Sequence, residues 1–130
     1  MNKHEESARL WMEYATDDLE SAETLLAREP PKSSAAAFHC QQVAEKDLKG
    51  FLVFHGREPP RTHNLRNLLG LAAQIEEALA NVHGAANGLM PYAVNVRYPG
   101  TGATANAEEA AAALRHARQV RAAVHDALPF

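Results

Sequence analysis

Residues 33–56 read SSAAAFHCQQVAEKDLKGFLVFHG, and the spacing of apolar residues in this stretch decides the fold class. Small and apolar side chains recur every three or four positions, which is the repeat of one face of an α-helix. They are Ala37, Cys40, Ala44, Leu48, Phe51 and Leu52. Ser33 is suited to cap the start of this helix, and Gly56 stands where a left-handed residue commonly ends one. The stretch therefore predicts an amphipathic helix with one buried face.

Four further segments of the chain show the same helical repeat. They cover residues 5–28, 64–82, 86–94 and 106–128. An asparagine suited to cap a helix precedes the first of them, at Asn2, and opens two others, at Asn64 and Asn106. Pro30 and Pro31 end the first segment because proline cannot donate the next helical hydrogen bond. We expect Gly84 to break the chain after the third segment.

The composition agrees with a helical fold. The chain has 26 Ala and 14 Leu but only 7 Val, 1 Ile and 5 Thr, so residues that favour strands are scarce. With 130 residues, the chain has the size of one compact domain. We predict a single all-α domain over residues 1–130, an up-and-down antiparallel bundle of four to five helices.

Charge and hydropathy exclude several classes of protein. No stretch is apolar enough to span a membrane, and the charged N-terminus does not resemble a secretory signal, so we expect a cytoplasmic protein. The net charge of −3 argues against a protein that coats nucleic acid by charge alone. Residues 1–29 carry a net charge of −5, whereas residues 32–66 hold six Lys or Arg against three Asp or Glu. An anionic ligand is therefore expected to approach the second of these segments.

The seven histidines and the single cysteine do not have the spacing of a metal site. His-Glu-x-x-His is absent, and no two histidines lie three or four positions apart on one predicted helix. The glycine patterns that cradle phosphates in nucleotide-binding folds are also absent. Cys40 has no partner for an internal disulfide and is expected to pack as a small apolar residue. We expect neither a metal nor a cofactor.

A polar stripe on the second helix is the first candidate for a binding site. Gln42, Glu45, Lys46 and Lys49 are spaced by three, four or seven positions and therefore share one helix face. Such a stripe could bind an anion. The alternative is an ordinary exposed face on which Glu45 and Lys49 form an ion pair worth about 0.3–0.5 kcal/mol.

Two residues outside that helix add to the candidate site. His63 lies between a proline-rich loop and a helix start, and Arg97 precedes Tyr98 and Pro99 at a predicted helix break. The structural alternative for His63 is a ring that is satisfied by a backbone carbonyl. For Arg97 it is a cation that stabilises the C-terminal end of a helix.

Several motifs together resemble the HEPN domain of prokaryotes. They are Trp11 with Ala15, Asp18-Leu19 and Ala22, then the run from Phe38 to Lys49, Thr62-His63-Asn64-Leu65, Arg97-Tyr98-Pro99, and the final helix with Glu108, Ala110, Ala117 and Val120. The resemblance implies a small helical bundle that is commonly a homodimer and is encoded beside a minimal nucleotidyltransferase, in a toxin–antitoxin-like module.

The resemblance also bears on ribonuclease activity. In many members of the wider family, an arginine followed by histidine after four to six residues forms a metal-independent RNase site across the dimer. Arg97 matches the arginine, but Gly102, Ala103 and Thr104 occupy the positions of the histidine. A histidine is the natural base for a 2′-hydroxyl near neutral pH, and its loss removes a factor of roughly 10²–10⁴.

These observations lead to one main hypothesis and two alternatives. The main hypothesis is a HEPN-type homodimer that binds a nucleotide or RNA phosphate and acts with a minimal nucleotidyltransferase. Its predicted ligand-binding residues are Gln42, Glu45, Lys46, Lys49, His63, Arg97 and Tyr98. The first alternative is a metal-independent endoribonuclease with Arg97 and His63 as the catalytic pair. The second is a purely structural subunit.

Overall fold

The computed structural model describes residues 2–93 and 104–130, and within them it contains five α-helices and two 3₁₀ turns but no strand. The α-helices are α1 (Lys3–Ala27), α2 (Ser33–Phe54), α3 (Leu65–Ile75), α4 (His83–Leu89) and α5 (Ala107–Asp126). The 3₁₀ segments are Glu77–Val82 and Met90–Tyr92. The prediction of an all-α bundle is confirmed. No helix of the described part is long and apolar enough to cross a membrane.

Local capping fixes where three of the helices begin. The Asn2 side chain accepts a hydrogen bond from the Glu5 amide at 2.8 Å, and Asn64 accepts one from the Asn67 amide at 3.2 Å. Asn106 and Glu109 bond each other's backbone amides at 2.8 and 3.0 Å, which forms a complete capping box before α5. Gly56 ends α2 with a φ of 74°, the left-handed conformation that its position predicts.

Three predicted helix boundaries are wrong. Ser33 is already the first residue of α2, and Lys32 precedes it without a side-chain cap. The third helix ends at Ile75 because Glu76 is extended and its carboxylate accepts a hydrogen bond from the Ala78 amide. Gly84 therefore lies inside α4 and not at a break. The predicted fourth helix begins earlier than residue 86, and its last residue, 94, lies outside the described residues.

Helix α2 lies at the centre of the bundle and packs against α1, α5 and α3. Its fully buried Leu48 and Phe51 meet Leu65 and Leu68 of α3 and Val120 of α5 in one apolar cluster. Cys40 is completely buried on the same helix, and burial raises the pKa of its thiol to about 12. It packs as a small apolar side chain and is not a thiolate nucleophile near neutral pH.

A charged contact ties three helices together beside this core. Asp47 of α2 is fully buried and accepts two hydrogen bonds from Arg121 of α5 at 3.1 and 3.0 Å. The same guanidinium donates to the Thr16 hydroxyl of α1 at 2.5 Å. We call Thr16, Asp47 and Arg121 the Asp47 clamp. Both bonds to the carboxylate come from one nitrogen, Nη1, which bridges the two oxygens of Asp47 and links α5 to α2.

Candidate functional site

A buried carboxylate, Glu45, is the centre of the candidate site. Only 4% of Glu45 is exposed, and its two oxygens accept hydrogen bonds from three side chains. The Lys49 ammonium donates at 3.0 Å, the Gln41 amide at 3.1 Å, and the His63 Nδ1 atom lies 2.9 Å away. The charge of Glu45 is therefore compensated inside the protein by Lys49, and its orientation is fixed by the amide and ring donors.

The fold brings these residues together by two local devices. Gln41, Glu45 and Lys49 are one helical turn apart on α2, so they line one face. His63 immediately precedes the Asn64 cap of α3, at the end of a loop that contains Pro59 and Pro60. The Gln41 amide also donates to the His63 carbonyl at 3.2 Å, which fixes the loop to α2.

The structure contradicts the interpretation of the polar stripe as an ordinary exposed face. Glu45 and Lys49 form an ion pair as expected, but both are buried. Gln42 joins the same network because its amide donates to the Gln41 side-chain oxygen at 2.7 Å. The alternative interpretation of His63 is also wrong, since its ring nitrogen meets a carboxylate and not a backbone carbonyl. Four predicted residues, Gln42, Glu45, Lys49 and His63, therefore share one network.

Lys46 points away from that network and belongs to a second charged group. Its ammonium donates to Asp18 Oδ2 of α1 at 2.5 Å, and His39 Nδ1 lies 2.8 Å from Asp18 Oδ1. Burial raises the pKa of the Asp18 carboxyl, but the hydrogen bonds and charges of His39 and Lys46 outweigh burial and hold this pKa below the ordinary 3.8. This group fastens α1 to α2.

The remaining predicted residues, Arg97 and Tyr98, lie outside the described residues. Gln41, Asp18 and His39 belong to the family motifs in the sequence but were not predicted as site residues. For Gln41 a signal existed, because it lies four positions before Glu45 and therefore on the same helix face. Asp18 and His39 belong to different helices, so no spacing in the sequence connects them.

The geometry of Glu45 and His63 decides what the site can do chemically. A carboxylate only accepts hydrogen bonds, so Nδ1 of His63 carries the hydrogen. Nε2 is then the ring nitrogen that is available to a ligand. The His63 side chain is 69% exposed, whereas its partner is buried. A buried carboxylate thus orients an exposed imidazole, which can bind a phosphate oxygen when protonated or accept a proton when neutral.

Two arginines on the loop before His63 add positive charge at the surface. Arg57 and Arg61 are exposed, and neither forms an ion pair with a described residue. The loop that carries them is stiffened by Pro59 and Pro60. Among the described residues, no three His, Cys, Asp or Glu side chains stand close enough to share a metal ion. The candidate site is therefore a neutralised, hydrogen-bonded network with a cationic loop at its edge.

Comparison with known proteins gives one family and two solved structures. Residues 8–127 match the model of the HEPN domain. A crystal structure of a protein from Thermus thermophilus is similar with a TM-score of 0.76 and 30% identity, over 93% of this chain and 98% of that chain. The crystal structure of an archaeal HEPN homologue is similar with a TM-score of 0.71 and 26% identity, over 92% of this chain and 96% of that chain. No curated protein gives a significant match.

Proposed function

The chain belongs to the HEPN family, and from that premise we propose that it binds a nucleotide or the phosphate groups of RNA. The family is related to nucleotides and RNA. The proposal includes a homodimer that acts with a minimal nucleotidyltransferase in a toxin–antitoxin-like module, as the resemblance implies. The ligand-binding residues in this proposal are Gln42, Glu45, Lys46, Lys49, His63, Arg97 and Tyr98.

The observation that carries the proposal is the buried Glu45 carboxylate behind the exposed His63 ring. Glu45 lies 2.9 Å from Nδ1 and is 4% exposed, while His63 is open to solvent. A histidine that served only packing would have its ring covered. Glu45 holds Nδ1 of this open ring, and when the ring is protonated it donates a charge-assisted hydrogen bond to a phosphate oxygen.

The roles of the two lysines in this proposal follow from their partners. Lys49 is held by Glu45 and Lys46 by Asp18, so neither ammonium carries a full uncompensated charge. The two lysines contribute to the local electrostatic field, but they do not supply the main attraction for an anion. The main attraction falls to His63, to Arg97 and to the exposed loop arginines Arg57 and Arg61.

The loop arginines give the proposal a salt-dependent signature. Each phosphate contact made by a cation releases counterions, so binding weakens as salt concentration rises. We expect Arg61→Ala to lower the slope of log Kd against log salt by about 0.7 for single-stranded RNA. Arg115→Ala is the matched control because Arg115 is also exposed but lies on α5. Equal slopes for wild type and Arg61→Ala would show that Arg61 does not contact the phosphates.

A second candidate function is supported by the same Glu45 and His63 pair. In an endoribonuclease, neutral His63 would take the proton of a 2′-hydroxyl through Nε2 while Glu45 holds the ring, and Arg97 would stabilise the negative charge on the phosphorane. The proton donor for the leaving oxygen has no assigned residue, and Gly102, Ala103 and Thr104 replace the family's histidine. We therefore place binding first and expect no cleavage of single-stranded RNA without the partner protein.

A titration with labelled single-stranded RNA tests both functions. Wild type should bind, and Arg97→Ala and His63→Ala should bind more weakly. The Tm should stay nearly unchanged in Arg97→Ala, whereas His63→Ala also removes a hydrogen bond from the buried Glu45. His83→Ala, a change at another exposed histidine, is the control. A joint fall of affinity and Tm in Arg97→Ala would make Arg97 a structural residue. Cleavage above a buffer control that disappears in both variants would establish the ribonuclease instead.

The proposed homodimer has a separate test. Light scattering at micromolar concentration should give twice the chain mass of 14.2 kDa. A mass near 14.2 kDa would contradict the dimer, while the binding proposal would still be decided by the titration.

A further inference from the structure

An apolar cavity on the outer face of α1 is the feature that the proposed function leaves unused. Leu10 and Tyr14 are the two large apolar side chains that stand out as exposed among the described residues, at 50% and 53%. They are one helical turn apart, and with Ser7 and Trp11 they line a cavity of about 240 Å³. None of these four lining residues is charged.

Close packing of α1 on α2 fixes the position of Trp11 in this cavity. Gly50 of α2 lies so near α1 that a Cβ atom there would stand 2.9 Å from Trp11 Cβ and 2.7 Å from Met12 Cε. Real side chains do not approach to these distances, so only glycine fits without displacing α1. The backbone of α1 therefore packs directly on α2 at Trp11, and this contact fixes the position of the Trp11 Cβ atom.

Lys49 connects this cavity to the candidate site. Its ammonium lies 6.0 Å from the centre of the Trp11 ring, at the outer limit of a cation–π contact, and 3.0 Å from Glu45. The same side chain thus lies near the Trp11 ring and belongs to the network that orients His63. A ligand that occupies the cavity would therefore lie near Lys49, whose counter-ion Glu45 also contacts His63.

We propose that this cavity binds a nucleobase, with the base stacked against Trp11 and Tyr14. The inference rests on the proposed function and adds the base to the phosphate that His63 binds. A cavity whose lining residues are uncharged suits a flat, neutral ring, and stacking on aromatic side chains is a general way to hold bases of single strands. Ser7 also lines the cavity, and a hydroxyl can donate to or accept from the edge of the base.

The first experiment uses the fluorescence of Trp11, which is the single tryptophan of the chain. The protein is titrated with a short oligoadenylate and with an abasic oligomer of the same length, which keeps the phosphates but lacks the bases. Oligoadenylate should quench the fluorescence and bind more tightly. The abasic oligomer should bind, as shown by competition with labelled RNA, without quenching. Binding of both oligomers with equal affinity and no quenching would overturn the base site and leave the proposed function intact.

The second experiment separates the aromatic ring from the apolar surface. Tyr14→Leu removes the ring and should weaken oligoadenylate binding about tenfold, while abasic binding stays the same. Tyr14→Phe keeps the ring and should bind as wild type does. If Tyr14→Leu weakened the binding of both oligomers equally, the base would not stack on Tyr14. A change in the scattering mass of Tyr14→Leu would also contradict stacking, because it would show that a second copy of the chain covers this face. Failure of both oligomers to bind wild type would overturn the proposed function together with the base site.

Discussion

Replacement of Glu45 by glutamine is the sharpest test of the buried network. The substitution keeps the size and shape of the side chain but removes its charge. Lys49, with a side chain only 10% exposed, is then a buried ammonium without its counter-ion. In the wild type, both oxygens of Glu45 accept hydrogen bonds from donors. In the glutamine variant one of these oxygens becomes an NH₂ group, which places a donor against another donor, either Lys49 or the Gln41 amide.

The expected loss follows from the burial of both charges. Removal of one partner of a buried ion pair costs about 3–5 kcal/mol because the remaining charge is desolvated without compensation. The surface pair of Glu23 and Arg118 is a matched comparison, since its side chains are 43% and 52% exposed. Glu23→Gln should lower the free energy of unfolding by less than about 1 kcal/mol.

Urea unfolding followed by circular dichroism measures these differences. Glu45→Gln should lower the unfolding midpoint far more than Glu23→Gln does. The double change Glu45→Gln with Lys49→Met should recover much of the loss, because it removes the unpaired ammonium and leaves an apolar side chain. If Glu45→Gln is no more destabilising than Glu23→Gln, or if the double change recovers nothing, the network does not hold its charges as we describe.

Two further predictions concern the other charged contacts. Arg121→Ala leaves the fully buried Asp47 without its guanidinium and should lower the free energy of unfolding, measured in urea, by about 3–5 kcal/mol. The control Arg118→Ala, at a surface ion pair, should lower it by less than about 1 kcal/mol. Similar losses in the two variants would refute the Asp47 clamp. Because the folded pKa of Asp18 is lowered, its stabilising contribution is fully present above the ordinary pKa of 3.8 and is lost as the pH falls through the lowered value. Tm measured against pH should therefore fall less steeply in acid for Asp18→Asn than for wild type, and parallel curves would contradict the assignment.

Features that depend on neighbouring residues along the chain could be predicted from the sequence. The caps at Asn2, Asn64 and Asn106 each need a side chain and an amide three positions away, and all three were predicted. The helix end at Glu76 was missed because a glutamate whose carboxylate accepts a hydrogen bond from a nearby backbone amide is a weaker sequence signal for a break than glycine is. Gly84 carried the expected signal but lies inside a helix, at an exposed position where a side chain would meet no neighbour.

The candidate site shows where sequence reasoning ends. Helical spacing placed Glu45 and Lys49 on one face, but spacing does not tell which helix or loop covers that face. Burial of this pair depends on how the helices and loops pack around α2, and the return of His63 to Glu45 spans 18 positions. Lys46 shares the spacing of the stripe, yet α1 supplies Asp18 as its partner. Partners from different helices are set by packing and not by local spacing.

The Asp47 clamp has a consequence for the order in which the chain folds. Thr16 and Arg121 are 105 positions apart, whereas α1 and α2 are consecutive helices that pack against each other. Closure of a short loop costs less entropy than closure of a long one, so α1 and α2 can pair before α5 is in place. Until then the Asp47 carboxylate must keep its hydrating water, because a bare buried charge is too costly. Synthesis from the N-terminal end also makes α1 and α2 available before α5, so we expect the docking of α5 to be the step that removes water from around Asp47.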